Sequence, residues 1–211
     1  PICISLWSIK NANAAKNQAK HAGTQATAAK IQAAAAERQS AVYARQLLLD
    51  KIEQYRSEIK AAGDLRSAVA ETMLAAVDVD DGNPEAPENG AAALRIQAAG
   101  ASLRTFADAF EVFAASEPDL AERTQARRFI ASQGHRQSNA AQLLAMRVRR
   151  NMTAGPLNLA DTDEPLARII NESDALQTHC DTHPADLQRE IERLWVEVRI
   201  FEVQIRGGIN A

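Results

Sequence analysis

Residues 11–36 read NANAAKNQAKHAGTQATAAKIQAAAA. Ala15, Ala19, Ala22, Ala26, Ala29, Ala33 and Ala36 recur there at alternating steps of four and three. That is a heptad-like seam built from the smallest helix-forming side chain. It predicts a helix that another helix can approach closely, with little apolar area buried per contact. The pattern then gains bulk, because Ala41, Ala44, Leu48, Ile52, Tyr55, Ile59 and Ala62 share a face. Residues 11–62 contain no Pro and a single Gly, Gly23. Unbroken, this helix would run about 78 Å at ~1.5 Å per residue, longer than a compact domain of this size is wide. The expectation is either a break near Gly23 or an elongated molecule.

Gly63 followed by Asp64 reads as a helix stop and a new N-cap. Leu65, Val69, Met73 and Ala76 then outline a short amphipathic helix. Residues 78–90, DVDDGNPEAPENG, read as an acidic linker. Asp78, Asp80 and Asn83 give it a superficial calcium-loop look, but Pro84 and the lack of a terminal Glu at the required spacing break that pattern. From Ala91 a helix carries Ile96, Ala99, Leu103, Phe106, Phe110 and Phe113 on one stripe, which is core spacing. Ser116 and Pro118 open a helix expected to end at Gly134, and Ser138 caps another running through Leu143, Leu144, Val148 and Met152. Ala154-Gly155-Pro156 closes that one. Asp163 and Pro165 start a helix through Leu166, Ile169, Ile170 and Leu176. A last helix from Pro184 to about Arg206 carries Leu187, Ile191, Leu194, Val198, Phe201 and Ile205, and Gly207-Gly208 ends it. No segment alternates as a strand does. The fold class expected is all-α, an elongated helical bundle with a long Ala-rich N-terminal helix, working as an oligomer. The expected layout is 1–77, the linker 78–90, a bundle over 91–206 and a tail over 207–211.

The chain has 211 residues, 46% of them hydrophobic but only 4% aromatic, with a net charge of -3. That near-neutral total conceals blocks. Residues 1–75 hold ten basic and six acidic groups, and residues 76–120 hold two and nine. Residues 121–160 hold seven Arg and one acidic group, and residues 161–211 hold five basic and eleven acidic. Opposed blocks suit a ring in which one protomer's acidic segment meets its neighbour's basic one, and equally suit pairing between antiparallel helices of one chain. Lys10, Lys16, Lys20 and Lys30 precede the first acidic residue, Glu37. Arg123, Arg127, Arg128, Arg147, Arg149 and Arg150, with Arg136, form the most basic block and are candidates for contact with nucleic acid or an acidic partner. So few aromatics disfavour base stacking, so any DNA contact would be non-specific.

Nothing in the sequence points to catalysis. There is no Gly-x-Ser-x-Gly elbow and no Gly-rich phosphate loop, and Glu190 and Glu197 lie among Arg189, Arg193 and Arg199 as solvated ion pairs would. His179, Cys180, Asp181 and His183 lie close in sequence, but Pro184 argues for a polar turn rather than a zinc site. No catalytic residue, metal or cofactor is expected. Cys3 and Cys180 are expected to be reduced. Ile2, Ile4, Leu6 and Trp7 make an apolar tip that either docks on a neighbour or contacts a membrane with Trp7 at the interface. The tip is too short to span one, and the stretch lacks the basic leader and cleavage site expected of a secretory signal. Pro1 is what removal of an initiator Met would leave, so a full-length mature chain is the expectation.

The apolar tip, the Ala/Gln/Lys helix and the segment Leu65-Arg66-Ser67-Ala68-Val69-Ala70-Glu71-Thr72-Met73-Leu74 resemble the smallest internal virion proteins of short-tailed phages. The resemblance covers about residues 1–75, a third of the chain. It implies a protein of the internal core, held inside the capsid beside other virion core and portal or tail proteins. On infection such a protein is ejected into the host envelope and helps form a channel for genome delivery, as a homo-oligomeric ring in contact with the host membrane. Two other classes fit an elongated Ala/Gln-rich chain. One is a secretion-system or pilus-associated helical bundle, which would normally carry an export signal. The other is a cytosolic coiled-coil or nucleic-acid-binding adaptor.

Overall fold

The computed structural model describes residues 2–79, 86–116, 121–154 and 160–207, with side chains described from Ala12 onward except at residues 13, 154 and 160–162. Within them the chain is all-α: α1 is Ile2–Val77, α2 Pro87–Ser116, α3 Ala121–Ala154 and α4 Ala160–Gly207. No strand occurs among the described residues. The chain divides into two units, one formed by Pro1–Lys51 with Arg193–Ala211 and the other by Ile52–Glu192.

The second unit is a four-helix bundle, and its core can be followed in layers. One apolar layer joins Leu65 and Val69 of α1, Leu103 and Phe110 of α2, Ile130 of α3, and Leu176 and Cys180 of α4. The next joins Ala75 and Ala76, Ala93 and Ile96, Ala141 and Leu144, and Ile169. Between these layers the numbering rises in α1 and α3 and falls in α2 and α4, so the helices run alternately up and down. The stripes read from the sequence over 52–76 and 96–113 are the buried or half-buried ones. Residues 52–76 therefore belong to this core, and the bundle does not begin at residue 91 as the expected layout had it.

Three expected helix ends are not ends. α1 runs through Gly63 and Asp64. Gly63 is exposed, while Ala62 and Leu65 beside it are fully buried. The ~1 kcal/mol helix penalty of one glycine is small against the burial of those side chains. α3 runs through Gly134 because that glycine serves packing. A Cβ there would stand 2.9 Å from the Ala107 Cβ of α2. Gly100 plays the reciprocal part on α2, where a Cβ would stand 3.0 Å from the Ala141 Cβ. Ser138, expected as an N-cap, instead donates from Oγ to the Gly100 carbonyl at 2.7 Å, joining α3 to α2. α4 continues through both Pro165 and Pro184. An interior Pro costs about 3 kcal/mol or more. Around Pro184 the buried Leu176, Cys180, His183 and Leu187 hold the helix in place.

In the first unit the same α1 has few partners. From residue 14 to residue 40 every side chain is exposed, including all seven Ala of the seam, and Gly23 does not interrupt the helix. Burial starts at Ala41, and on α4 Leu194 and Val198 are buried. Arg45 Nη2 pairs with Glu202 Oε1 at 3.0 Å between the two helices. An open groove is lined by Ile31, Ala34 and Ala35 of α1 and by Phe201 and Gln204 of α4. Gly207 closes α4, one residue inside the expected tail. The linker is likewise shorter than expected, since α2 starts at Pro87; residues 80–85 lie outside the described residues. Asp78, one of the calcium-like positions, pairs with Arg95 at 2.6 Å.

Candidate functional site

The most organised chemistry lies inside the bundle of the second unit. It is a polar layer placed beyond Leu65, Phe110, Ile130 and Cys180. Glu58 of α1 and Arg127 of α3 are both fully buried. Arg127 grips the carboxylate with two parallel bonds, Nε to Oε1 and Nη2 to Oε2, each 2.7 Å. Its Nη1 donates to the Phe113 carbonyl of α2 at 3.1 Å. His183 of α4 is 4% exposed and brings Nε2 to 2.5 Å from Glu58 Oε1. Its ring lies edge-on to Phe110, 6.2 Å between centroids. The carboxylate ties α1 to α3 and α4, and Arg127 carries the network on to α2.

Burial alone would raise the pKa of Glu58. The hydrogen bonds from His183 and Arg127, with their charges, outweigh it and hold the carboxyl below its ordinary value. A second network abuts the first. Arg123 Nη1 donates to the Tyr55 hydroxyl at 2.6 Å, and the guanidinium carbon lies 5.3 Å from the centre of that ring. Its Nη2 pairs with Glu190 at 3.2 Å. A buried ion pair with all its bonds made adds little net stability over an apolar trio. Breaking it is costly, and a polar layer penalises the shifted helix register that would unpair it.

These residues were hidden in the sequence in an instructive way. Tyr55, Glu58, Ala62 and Leu65 follow the 3-4-3 spacing of the core stripe, as do Cys180, His183 and Leu187. A charged residue on an otherwise apolar stripe is the available signal, and a stripe drawn through Ile59 passes over it. Charge density places Arg127 with the basic block. Its burial removes it from any partner-facing role, and Arg123 is largely taken up by Tyr55 and Glu190. Of the remaining candidates Arg128, Arg149 and Arg150 are exposed and Arg147 is half-buried.

The His179-to-His183 group is dispersed around α4 rather than forming the expected turn. His179 stacks on Phe129 at 4.1 Å. Cys180 points into the core, where burial, helped by the charge of Asp181, pushes its thiol up to about 12. A thiol so protonated is a poor nucleophile and a poor ligand. Asp181 pairs with Arg66 at 2.8 Å. The side chains of Ile2, Ile4, Leu6, Trp7 and Cys3 lie outside the described residues. No helix among the described residues is long and apolar enough to cross a membrane.

Comparison of the chain with family models, with curated proteins and with solved structures finds no match.

Proposed function

We propose that the chain is a non-catalytic structural protein that works as a homo-oligomer, and that it is an internal virion protein of a short-tailed phage. In this reading it is stored in the capsid core, ejected on infection, and helps form a channel across the host envelope for genome delivery. The observation that carries the assembly part is the exposure of α1 over residues 14–40. A helix is held in water mainly by packing of one face rather than by propensity. Here the face suited to packing is the Ala seam, whose side chains are all exposed. A second helix laid on the seam would cover it. The virion part rests on the resemblance of residues 1–75, and the opposed charge blocks suit ring contacts.

The test of assembly is sedimentation velocity together with circular-dichroism melts of the full chain over a wide concentration range. Expected are larger species and a melting temperature that rises with concentration. A cooperative melt of a clean monomer, independent of concentration, overturns the reading. Detection of the chain in DNA-filled particles and its loss after ejection test the virion role. Liposome flotation tests the membrane contact, and flotation unchanged in Leu6→Ser/Trp7→Ser argues against it. Exposed Arg128, Arg149 and Arg150 favour a second reading, a nucleic-acid-binding bundle, which predicts DNA retention that falls steeply with salt.

A further inference from the structure

We propose that Asp108, Glu111 and His135 form a surface site for a first-row divalent transition metal, with zinc the ion that suits it best. Asp108 and Glu111 are three apart on α2 and so share a face. His135 faces them from α3, immediately after Gly134, where the Ala107 contact keeps the two helices close. The metal-ligating atoms of the three side chains lie within 4.8 Å of one another. His135 Nε2 stands 3.1 Å from Glu111 Oε1 and 3.6 Å from Asp108 Oδ1. Ligands about 2.1 Å from a tetrahedral zinc stand ~3.4 Å apart, so these spacings bracket what the ion needs. The two carboxylates are mostly exposed and can rotate inward, while His135 is 30% exposed and held against the helix pair.

The donor set selects the metal class. One imidazole nitrogen with two carboxylate oxygens suits zinc and its neighbours, whereas calcium and magnesium prefer oxygen alone. Three protein ligands leave a coordination position for water, as in an open zinc site. Bound there, the ion would relieve the repulsion between Asp108 and Glu111 and cross-link α2 to α3 outside the apolar core. The site is independent of the Glu58 layer and of the assembly seam, so it stands or falls apart from the proposed function.

The experiment is a calorimetric zinc titration of the full chain after chelator treatment. One equivalent is expected to bind to the wild type. Affinity is expected to fall at least about tenfold in His135→Gln and in Asp108→Asn/Glu111→Gln, and to be kept in His21→Ala/His179→Ala, which removes the other histidines nearest the surface. No zinc uptake by the wild type, or uptake unchanged in His135→Gln, overturns the site. If either variant folds poorly, the nitrogen chemical shifts of the wild-type imidazoles decide. A zinc-induced shift at His135 Nε2 supports the site, and a shift confined to other histidines refutes it.

Discussion

The two halves of α1 are one helix with two kinds of surface. Over residues 14–40 its repeating residue is Ala and every side chain is exposed. Over residues 52–76 the same periodicity carries Ile52, Tyr55, Leu65 and Val69, and these are buried. Equal helical regularity therefore has two physical outcomes. Apolar area per repeat decides whether a helix can hold partners from its own chain, since each buried CH₂ contributes only ~0.8 kcal/mol. An Ala seam permits close approach but supplies little area per repeat.

The largest expected effect tests whether the second half is fixed by its polar layer. Arg127→Ala leaves the Glu58 carboxylate buried without its main partner and should destabilise the bundle by about 3–5 kcal/mol, read from urea melts of the full chain. Replacing Glu58, Arg127 and His183 together by Leu, Met and Leu should cost far less, because no charge is then stranded. A triple variant as unstable as Arg127→Ala would show that the layer itself, and not its imbalance, matters. A substitution in the exposed half, Ala29→Ser, should leave the melt of the dilute chain unchanged.

Acid gives the same layer a second test. Glu58 has a lowered pKa in the folded chain, so the unfolded chain binds its proton first as pH falls. The stability this group contributes is complete above its ordinary value of 4.5 and is lost as pH drops through the lower folded value. The wild type should therefore lose its advantage over Glu58→Gln as the pH is taken below that range. An advantage that stays constant down to the acid unfolding limit would assign the layer no proton linkage.

Much of the helical layout was readable because periodicity is a local property. The core stripes of α2 and of the last third of α4 follow from 3.6-residue spacing alone. The connections proved harder. Gly63, Gly134 and Pro184 are all breakers by local propensity, and all three are overridden by packing that only the assembled bundle supplies. The Glu58–Arg127–His183 layer was illegible for a related reason. Its members lie 69 and 125 residues apart in sequence, and nothing local marks a charge on a core stripe as paired. The Asp108–Glu111–His135 cluster joins α2 to α3 in the same non-local way, so only two of its three members, the i,i+3 carboxylates, can be read along the chain.

The glycines separate packing from propensity at smaller scale. Gly134→Ala places a methyl 2.9 Å from the Ala107 Cβ, so the helices must move apart, at a cost of about 1–3 kcal/mol by analogy with other overpacked cores. Its helical gain of ~1 kcal/mol offsets part of this, so Gly134→Leu should give the clearer loss. Gly63 and Gly23 have no atom within 4 Å of the added Cβ.

There only propensity acts, and Gly63→Ala should stabilise the bundle by about 0.5–1 kcal/mol. Gly23→Ala has the same intrinsic gain, but it falls in the half of α1 that has no packed core to report it. It should raise the helical signal of the dilute chain without shifting the main unfolding transition. If Gly23→Ala instead moves that transition as much as Gly63→Ala does, the two halves of α1 unfold as one cooperative element. The contrast between them would then lie in burial alone and not in stability.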